Sequence, residues 1–188
     1  MEIIRVDRAE SSRELFLDAL RYEGSVIPGK NPIHIIIPGG RSVDPFIGSL
    51  QLCSNALLKR IHLYLIDERL DPPSNREELL DKGLGSLISS GRMMPGQLHA
   101  PYTSGTAEQA LRSYSSDLPA SAMIIAGVGE DGHVASLFPN HRALASPEHT
   151  ASIPDSPKDP PRRITLTPHY FRIQHRTVHS FLLFFGTA

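Results

Sequence analysis

With 188 residues, 40% of them hydrophobic and 21% charged, and a formal net charge of -1, the chain has the make-up of one folded domain and not of a disordered polymer. A sequence pI of about 6.8 leaves no global basic field for a nucleic acid or an anionic membrane, so any anionic ligand has to be gripped locally. The single cysteine, Cys53, excludes an internal disulfide and fits a reducing compartment, with the cytoplasm expected.

Residues 1–10 alternate charged and apolar positions and lack the apolar core and small-residue cleavage site of a secretory signal. No run approaches the roughly 18 apolar residues that a membrane helix needs, so neither classical export nor a membrane span is expected. Leucines spaced by three and four predict helices over 11–23, 44–59, 76–89 and 106–116. Short β-branched runs predict buried strands over 33–37, 61–66, 123–126, 164–167 and 178–185. Five prolines between 145 and 163 predict an irregular surface excursion that could act as a lid.

Strand and helix alternate, and the strands are apolar on both faces. That pattern predicts an α/β fold, one domain spanning residues 1–188, with a mostly parallel sheet covered by helices on each side. Ligands bind such sheets at the carboxyl ends of the strands, so chemistry is expected in the loops that start at Pro38, Asp67 and Gly127.

The first loop is Pro38-Gly39-Gly40-Arg41-Ser42. Paired glycines let the backbone approach a ligand, and the following helix N-terminus aims amides at an anion; the loop is a phosphate cradle or a plain strand-to-helix turn. No Gly-Lys-Ser/Thr follows, so it is not a Walker loop. Gly40-Arg41-Ser42-Val43-Asp44 lacks the closing glycine of a nucleophile elbow, which makes Ser42 a better ligand contact than nucleophile.

The second loop, Asp67-Glu68-Arg69, sends three charges out of an apolar strand, and they are expected to leave the core together. Arg69 is the expected anion grip, since a guanidinium forks onto phosphate or carboxylate; the bland reading is a set of solvated strand-end charges.

The third, Gly127-Val128-Gly129-Glu130-Asp131-Gly132-His133, contains Gly-x-Gly-x-x-Gly but is not a dinucleotide fingerprint. Pro139 cuts the segment short before a full helix, and no apolar strand ending in an acidic residue follows about 20 residues on. What remains is a glycine-flexed loop presenting Glu130, Asp131 and His133. A histidine takes a proton from water near neutral pH, and a neighbouring carboxylate fixes its tautomer, so the pair reads as a general base. The other eight histidines show no ligand spacing, and no metal is expected.

In this order and spacing, Gly39-Gly40-Arg41-Ser42, Asp67-Glu68-Arg69 with Ser74-Asn75, and Gly129-Glu130-Asp131-Gly132-His133-Val134-Ala135-Ser136-Leu137-Phe138-Pro139 resemble the 6-phosphogluconolactonase family. The related glucosamine-6-phosphate deaminases and isomerases share the Asp-Gly-His loop but typically follow it with Phe-Asn-Glu-Pro. Arg162-Arg163-Ile164-Thr165 is similar to the family's Arg-x-Thr strand, with Arg163 favoured over Arg162 by register.

The resemblance spans essentially the whole chain. It implies a Rossmann-like fold, no cofactor, and hydrolysis of a phosphorylated sugar lactone in the oxidative pentose phosphate pathway. By it, His133 is the catalytic base, Asp131 orients it, Asp67 lies with the substrate contacts, and Arg69, Arg163, Ser42 and the Gly39-Gly40 amides hold phosphate or oxyanion. No nucleic-acid or membrane partner is implied, and a monomer or small homo-oligomer is expected.

The chain departs from the family pattern in a short stretch between Arg69 and Ser74, and in Arg41 where many members have Ser or Thr. It stops at Gly186-Thr187-Ala188 where members usually continue with Gly-x-x-Lys, and Arg41 is the candidate replacement for that lysine's charge. Two alternatives stand beside the lactonase: an aminosugar-phosphate isomerase or deaminase, for which Asp67 and Glu68 would supply acid-base groups, and a non-catalytic sugar-phosphate binder.

Overall fold

A computed structural model describes residues 9–40, 43–101, 105–174 and 181–185. The chain opens with α1 (Ala9–Val26), β1 (Ile33–Ile37), α2 (Asp44–Leu52), α3 (Asn55–Leu58), β2 (Ile61–Leu65) and β3 (Asp67–Arg69). It continues through α4 (Asn75–Leu79), α5 (Gly85–Ser89), β4 (Leu98–His99), α6 (Ala107–Asp117) and β5 (Met123–Val128). β6 (Thr150–Ile153), β7 (Arg163–Leu166), α7 (Pro168–Gln174) and β8 (Phe181–Phe185) complete it.

Five strands form one sheet in the order β4-β2-β1-β5-β8, with every pairing parallel. Side chains alternate across a strand, and β1 shows the consequence: Ile33, Ile35 and Ile37 pack with Phe16 and Leu20 of α1 and Phe46 and Leu50 of α2. Ile36 points the other way, joining Tyr64, Ile124, Tyr114 of α6 and Tyr170 of α7. The mostly parallel, helix-covered sheet expected from the alternation is therefore present. No helix among the described residues is long and apolar enough to cross a membrane.

The strand order reverses beside β1: the chain moves outward to β2 and β4, then crosses to the other side for β5 and β8. Such a reversal opens a crevice at the carboxyl ends of the strands that flank it, and the loops after β1 and β5 border it.

Several elements differ from their expected form. The 44–59 helix breaks at Cys53, which is extended (φ -66°, ψ 149°), because Ser54 turns back to cap α3 by accepting from the Leu57 amide. The 76–89 helix is interrupted at Gly83, whose φ of 121° is incompatible with α-helix. The 164–167 strand exists as β7 but belongs to a second, antiparallel sheet, β3-β7-β6. The proline-rich excursion is not wholly irregular, since it supplies β6 to that sheet. Of the 178–185 strand, the described part is β8.

Asp67-Glu68-Arg69 does not leave the core. It forms β3 against β7, in the register Asp67↔Thr165 and Arg69↔Arg163, and Asp67 and Glu68 are buried. Each buried carboxylate has hydrogen-bond donors waiting, which is what makes the burial tolerable.

Three histidines line up across β1, β2 and β4. His34 pairs in register with His62, and Tyr64 with His99. His62 Nδ1 and His99 Nε2 lie 3.1 Å apart, His99 Nδ1 is 2.6 Å from Asp117 Oδ2, and His99 stacks on Tyr64 at 4.1 Å. Burial first, and the neighbouring imidazoles second, hold His34 and His62 below their usual 6.5. The unfolded chain therefore binds more protons at mildly acidic pH, and the stability these two contribute is complete above about 6.5 and lost as the pH falls below it. Asp67 and Glu68, held above their ordinary values by burial, act with the opposite sign. Melting curves at pH 7.5 and 5.5 are expected to show a smaller acid-side loss for His62→Gln than for the wild-type chain; parallel losses in the two proteins would contradict this.

Candidate active site

β5 delivers the chain to the crevice, and the loop behind it folds back on itself. The Gly129 amide donates to the His133 carbonyl (2.9 Å), the Gly132 amide donates to the Gly129 carbonyl (2.9 Å), and Val134 bridges Val128. Gly132 has a φ of 81°, a left-handed turn that favours glycine. Folded this way, the loop places His133 Nδ1 in a short hydrogen bond with Asp131 Oδ1 and lays the ring near Phe138, centroids 4.9 Å apart. Paired with His133, the Asp131 carboxyl is held down at about 2. Among the described residues nothing bonds the ring's Nε2, which leaves that nitrogen for a ligand or water.

Gly129 makes the pair possible by what it lacks. A Cβ there would fall on the His133 ring and the Asp131 carboxylate.

Beneath this pair lies a buried polar network. Ser136 Oγ donates to Asp67 Oδ2 (2.5 Å), and Asn75 Nδ2 donates to the Asp67 carbonyl (3.0 Å) and Oδ1 (3.2 Å). Ala135, with a left-handed φ of 56°, precedes Ser136 in the turn. Burial pushes the Asp67 carboxyl up, while the Ser136 bond and the charges of Arg163, Arg69 and His133 oppose that shift. Asp67, expected among the substrate contacts, is only 6% exposed and sits below the site, where it anchors Ser136 and Asn75.

Glu68 has a structural task. Its Oε1 accepts from the amides of Asn75 (2.6 Å) and Arg69 (2.7 Å), and its Oε2 from that of Arg76 (3.0 Å), so it holds the first turn of α4. Burial nevertheless pushes it up to about 7. The Ser74–Glu77 capping box completes that helix start, and a Cβ on Gly39 would strike Asn75, so the first and second loops pack directly together.

Arg69 reaches Glu78 Oε1 (2.5 Å) and the Pro73 carbonyl (3.0 Å) through Nη1, so a carboxylate already offsets the expected anion grip. Its buried Nε has no partner among the described residues, and the side chain borders a cleft of about 430 Å³ between the 71–73 and 159–161 turns. The two adjacent arginines separate cleanly. Arg162 forks onto Asp71, whereas Arg163 is buried beside Ser136 (3.5 Å) and over the Phe138 ring (5.8 Å).

In the first loop Gly40 has a φ of 73°, and its carbonyl accepts from Lys82 Nζ (2.7 Å), which also pairs with Asp44 (2.5 Å). α2 starts without a side-chain cap, leaving its first amides to other partners. Arg41 and Ser42 lie outside the described residues. No group of three or more His, Cys, Asp or Glu among the described residues is arranged to hold a metal ion.

The model of the family described as glucosamine-6-phosphate isomerases/6-phosphogluconolactonase matches residues 7–182. The chain belongs to this family. It is 31% identical to 6-phosphogluconolactonase 3, chloroplastic, of Arabidopsis thaliana, over 98% of this chain and 63% of the relative. It is 34% identical to the 6-phosphogluconolactonase of Borreliella burgdorferi, over 89% of this chain and 74% of the relative. The chain thus spans between three fifths and three quarters of these relatives' length. The crystal structure of a 6-phosphogluconolactonase from Thermotoga maritima superposes with a TM-score of 0.73 at 25% identity, covering 92% of this chain and 79% of that one. A monomeric glucosamine-6-phosphate deaminase shares the fold, with a TM-score of 0.70 at 14% identity.

Within the family motif, sequence reasoning picks out His133, Asp131 and the glycines but passes over Ser136 and Asn75. Both stand in the motifs that carry the resemblance; a polar residue within an otherwise apolar Val134–Phe138 stretch is the available signal for Ser136.

Proposed function

We propose that this chain hydrolyses 6-phospho-D-glucono-1,5-lactone to 6-phosphogluconate, with His133 as general base and without a metal. The observation that carries the reading is the Asp131–His133 pair, held by a glycine loop at the crevice where the strand order reverses. With Nδ1–H directed to Asp131, Nε2 accepts a proton from water as the water oxygen attacks the lactone carbonyl. The tetrahedral oxyanion collapses by breaking the bond to the ring oxygen, which takes the proton back from His133. Water has then added across the ester, giving acid and alcohol.

Arg163, Arg69, the Gly39-Gly40 amides, Arg41 and Ser42 are assigned to phosphate and oxyanion in this scheme. Asp67 acts through Ser136 and Asn75 as a positioning residue. The single thiol, Cys53, which can form no internal disulfide, supports a reducing compartment such as the cytoplasm.

A second reading, isomerisation with deamination of an aminosugar phosphate, is favoured by one feature: Asp67 and Glu68 are two adjacent buried carboxyls, and burial pushes both upward from their ordinary values. Glu68, however, is fully buried and bonded to three amides. Presenting the protein with the lactone and, separately, with glucosamine 6-phosphate distinguishes the two. Lactone consumption without ammonia release is expected. Ammonia release would favour the deaminase, and thermal stabilisation by 6-phosphogluconate with neither reaction would leave a sugar-phosphate binder.

A further inference from the structure

The 154–161 segment between β6 and β7 is clamped at its backbone by two buried side chains. Ser156 Oγ donates to the Lys158 carbonyl (2.9 Å) and accepts from the Lys158 amide (3.1 Å), and the Ser156 amide donates to the Pro161 carbonyl (3.0 Å). From the other side Arg163 donates to the carbonyls of Lys158 (3.0 Å), Asp159 (3.0 Å) and Pro160 (2.9 Å). A segment held at this many points is a mount, and Lys158 is its most tightly fixed residue.

What the mount presents is an ammonium group. Lys158 Nζ stands 3.4 Å from Asp131 Oδ1, the oxygen that also receives His133 Nδ1, and the lysine side chain is 45% exposed. An exposed ion pair of this length adds little to stability, so the pair by itself gives no reason for two buried clamps. Ammonium carries three donors, and only one has a described partner.

The neighbouring cations are differently committed. In the resting site Lys82 is paired with Asp44, Arg69 with Glu78, Arg162 with Asp71 and Arg163 with the segment's carbonyls, so Lys158 adds a less committed charge to the ligand contacts assigned above to Arg69 and Arg163. A phosphate monoester arriving at this rim meets in Lys158 a point charge on a flexible stem, suited to a rotating, dianionic group.

We propose that Lys158 is a phosphate-binding residue of the site, its ammonium leaving Asp131 for the phosphate of the bound sugar. The proposal rests on the sugar-phosphate reading above, and it gives the proline-rich segment a function. In the resting site the ammonium neutralises Asp131; with substrate present it exchanges one carboxylate oxygen for phosphate oxygens.

Calorimetric titration with 6-phosphogluconate and with unphosphorylated gluconate tests it on the wild-type chain, Lys158→Ala and Lys158→Arg. Lys158→Ala is expected to weaken 6-phosphogluconate about tenfold to a hundredfold, as loss of one charge-assisted contact does, with a far smaller effect on gluconate. Lys158→Arg, which keeps the charge, is expected to recover most of that loss. Affinity for 6-phosphogluconate within twofold of wild type in Lys158→Ala overturns the proposal, as do equal losses for both ligands or no binding by the wild-type chain. Because the readout is binding, wild-type affinity without turnover would sink the hydrolase reading and leave the Lys158 assignment to be judged by the variants.

Discussion

Replacing His133 with alanine is expected to lower kcat for lactone hydrolysis by about 10²- to 10⁴-fold, the range that a positioned proton acceptor contributes. The fold should survive, because His133 lies on a surface loop whose turn is made by backbone bonds of Gly129 and Gly132 rather than by the ring. The ring's aromatic neighbour is Phe138, centroids 4.9 Å apart, and truncation to alanine removes that packing. Asp131 is a poor substitute, because a carboxylate with the histidine gone still has an ordinary acidity far below the assay range and takes a proton from water only weakly at pH 6 to 8. A steady-state assay over pH 6 to 8 checks this, and kcat within threefold of wild type would remove His133 from the mechanism.

The second large effect is expected from a single methyl group. Gly129→Ala builds a Cβ where the His133 ring and the Asp131 carboxylate now lie. Gly129 is not among the left-handed glycines, so the backbone accepts alanine and the conflict falls on the dyad. Displacing a catalytic group by about 1 Å costs on the order of 10²-fold, and kcat/KM should drop by at least that much. Overpacking typically costs about 1–3 kcal/mol, which a melting curve will show as a lowered but cooperative transition. Gly132→Ala is the informative comparison. Its added Cβ meets nothing within 4 Å, yet its φ of 81° imposes backbone strain of roughly 1–2 kcal/mol. If Gly129→Ala and Gly132→Ala lose activity equally, loop strain rather than dyad displacement is the cause.

These two variants also mark what the sequence makes legible. β1 is readable at its full extent, because a run of Ile-His-Ile-Ile-Ile between proline and proline-glycine leaves little but a buried parallel strand. The glycine loop after β5 is readable because its residue types, spacing and position at a strand end all point to one place. Asp67 and Glu68 are misread for the reason that local reading is weakest with β-structure: their partner strand is nearly a hundred residues on, and without it three charges look bound for solvent. The breaks at Cys53 and Gly83 are hidden by leucine spacing that continues across both. Lys158 has no local signal at all. Its position at the dyad depends on Ser156 and Arg163 clamping a proline-rich segment that, as a string of letters, resembles any surface excursion.

In the proposed scheme one sheet carries the chemistry while another supports it. The parallel sheet brings the loops after β1, β2 and β5 to one edge, and the small antiparallel sheet seals the floor by pairing β3 with β7. Asp67 stands at the junction: it belongs to β3, accepts from Ser136 of the loop after β5, and accepts from Asn75, against which Gly39 packs. A lesion at Ser136 or Asn75 therefore reaches the dyad without touching it.

The most direct measurement is the rate at which 6-phosphogluconolactone, generated in situ, disappears in the presence of the wild-type chain compared with its spontaneous hydrolysis. First-order loss of lactone that accelerates in proportion to protein concentration, with 6-phosphogluconate as the product, is the predicted result. A rate indistinguishable from the uncatalysed background at every protein concentration would contradict the assignment of this site to lactone hydrolysis.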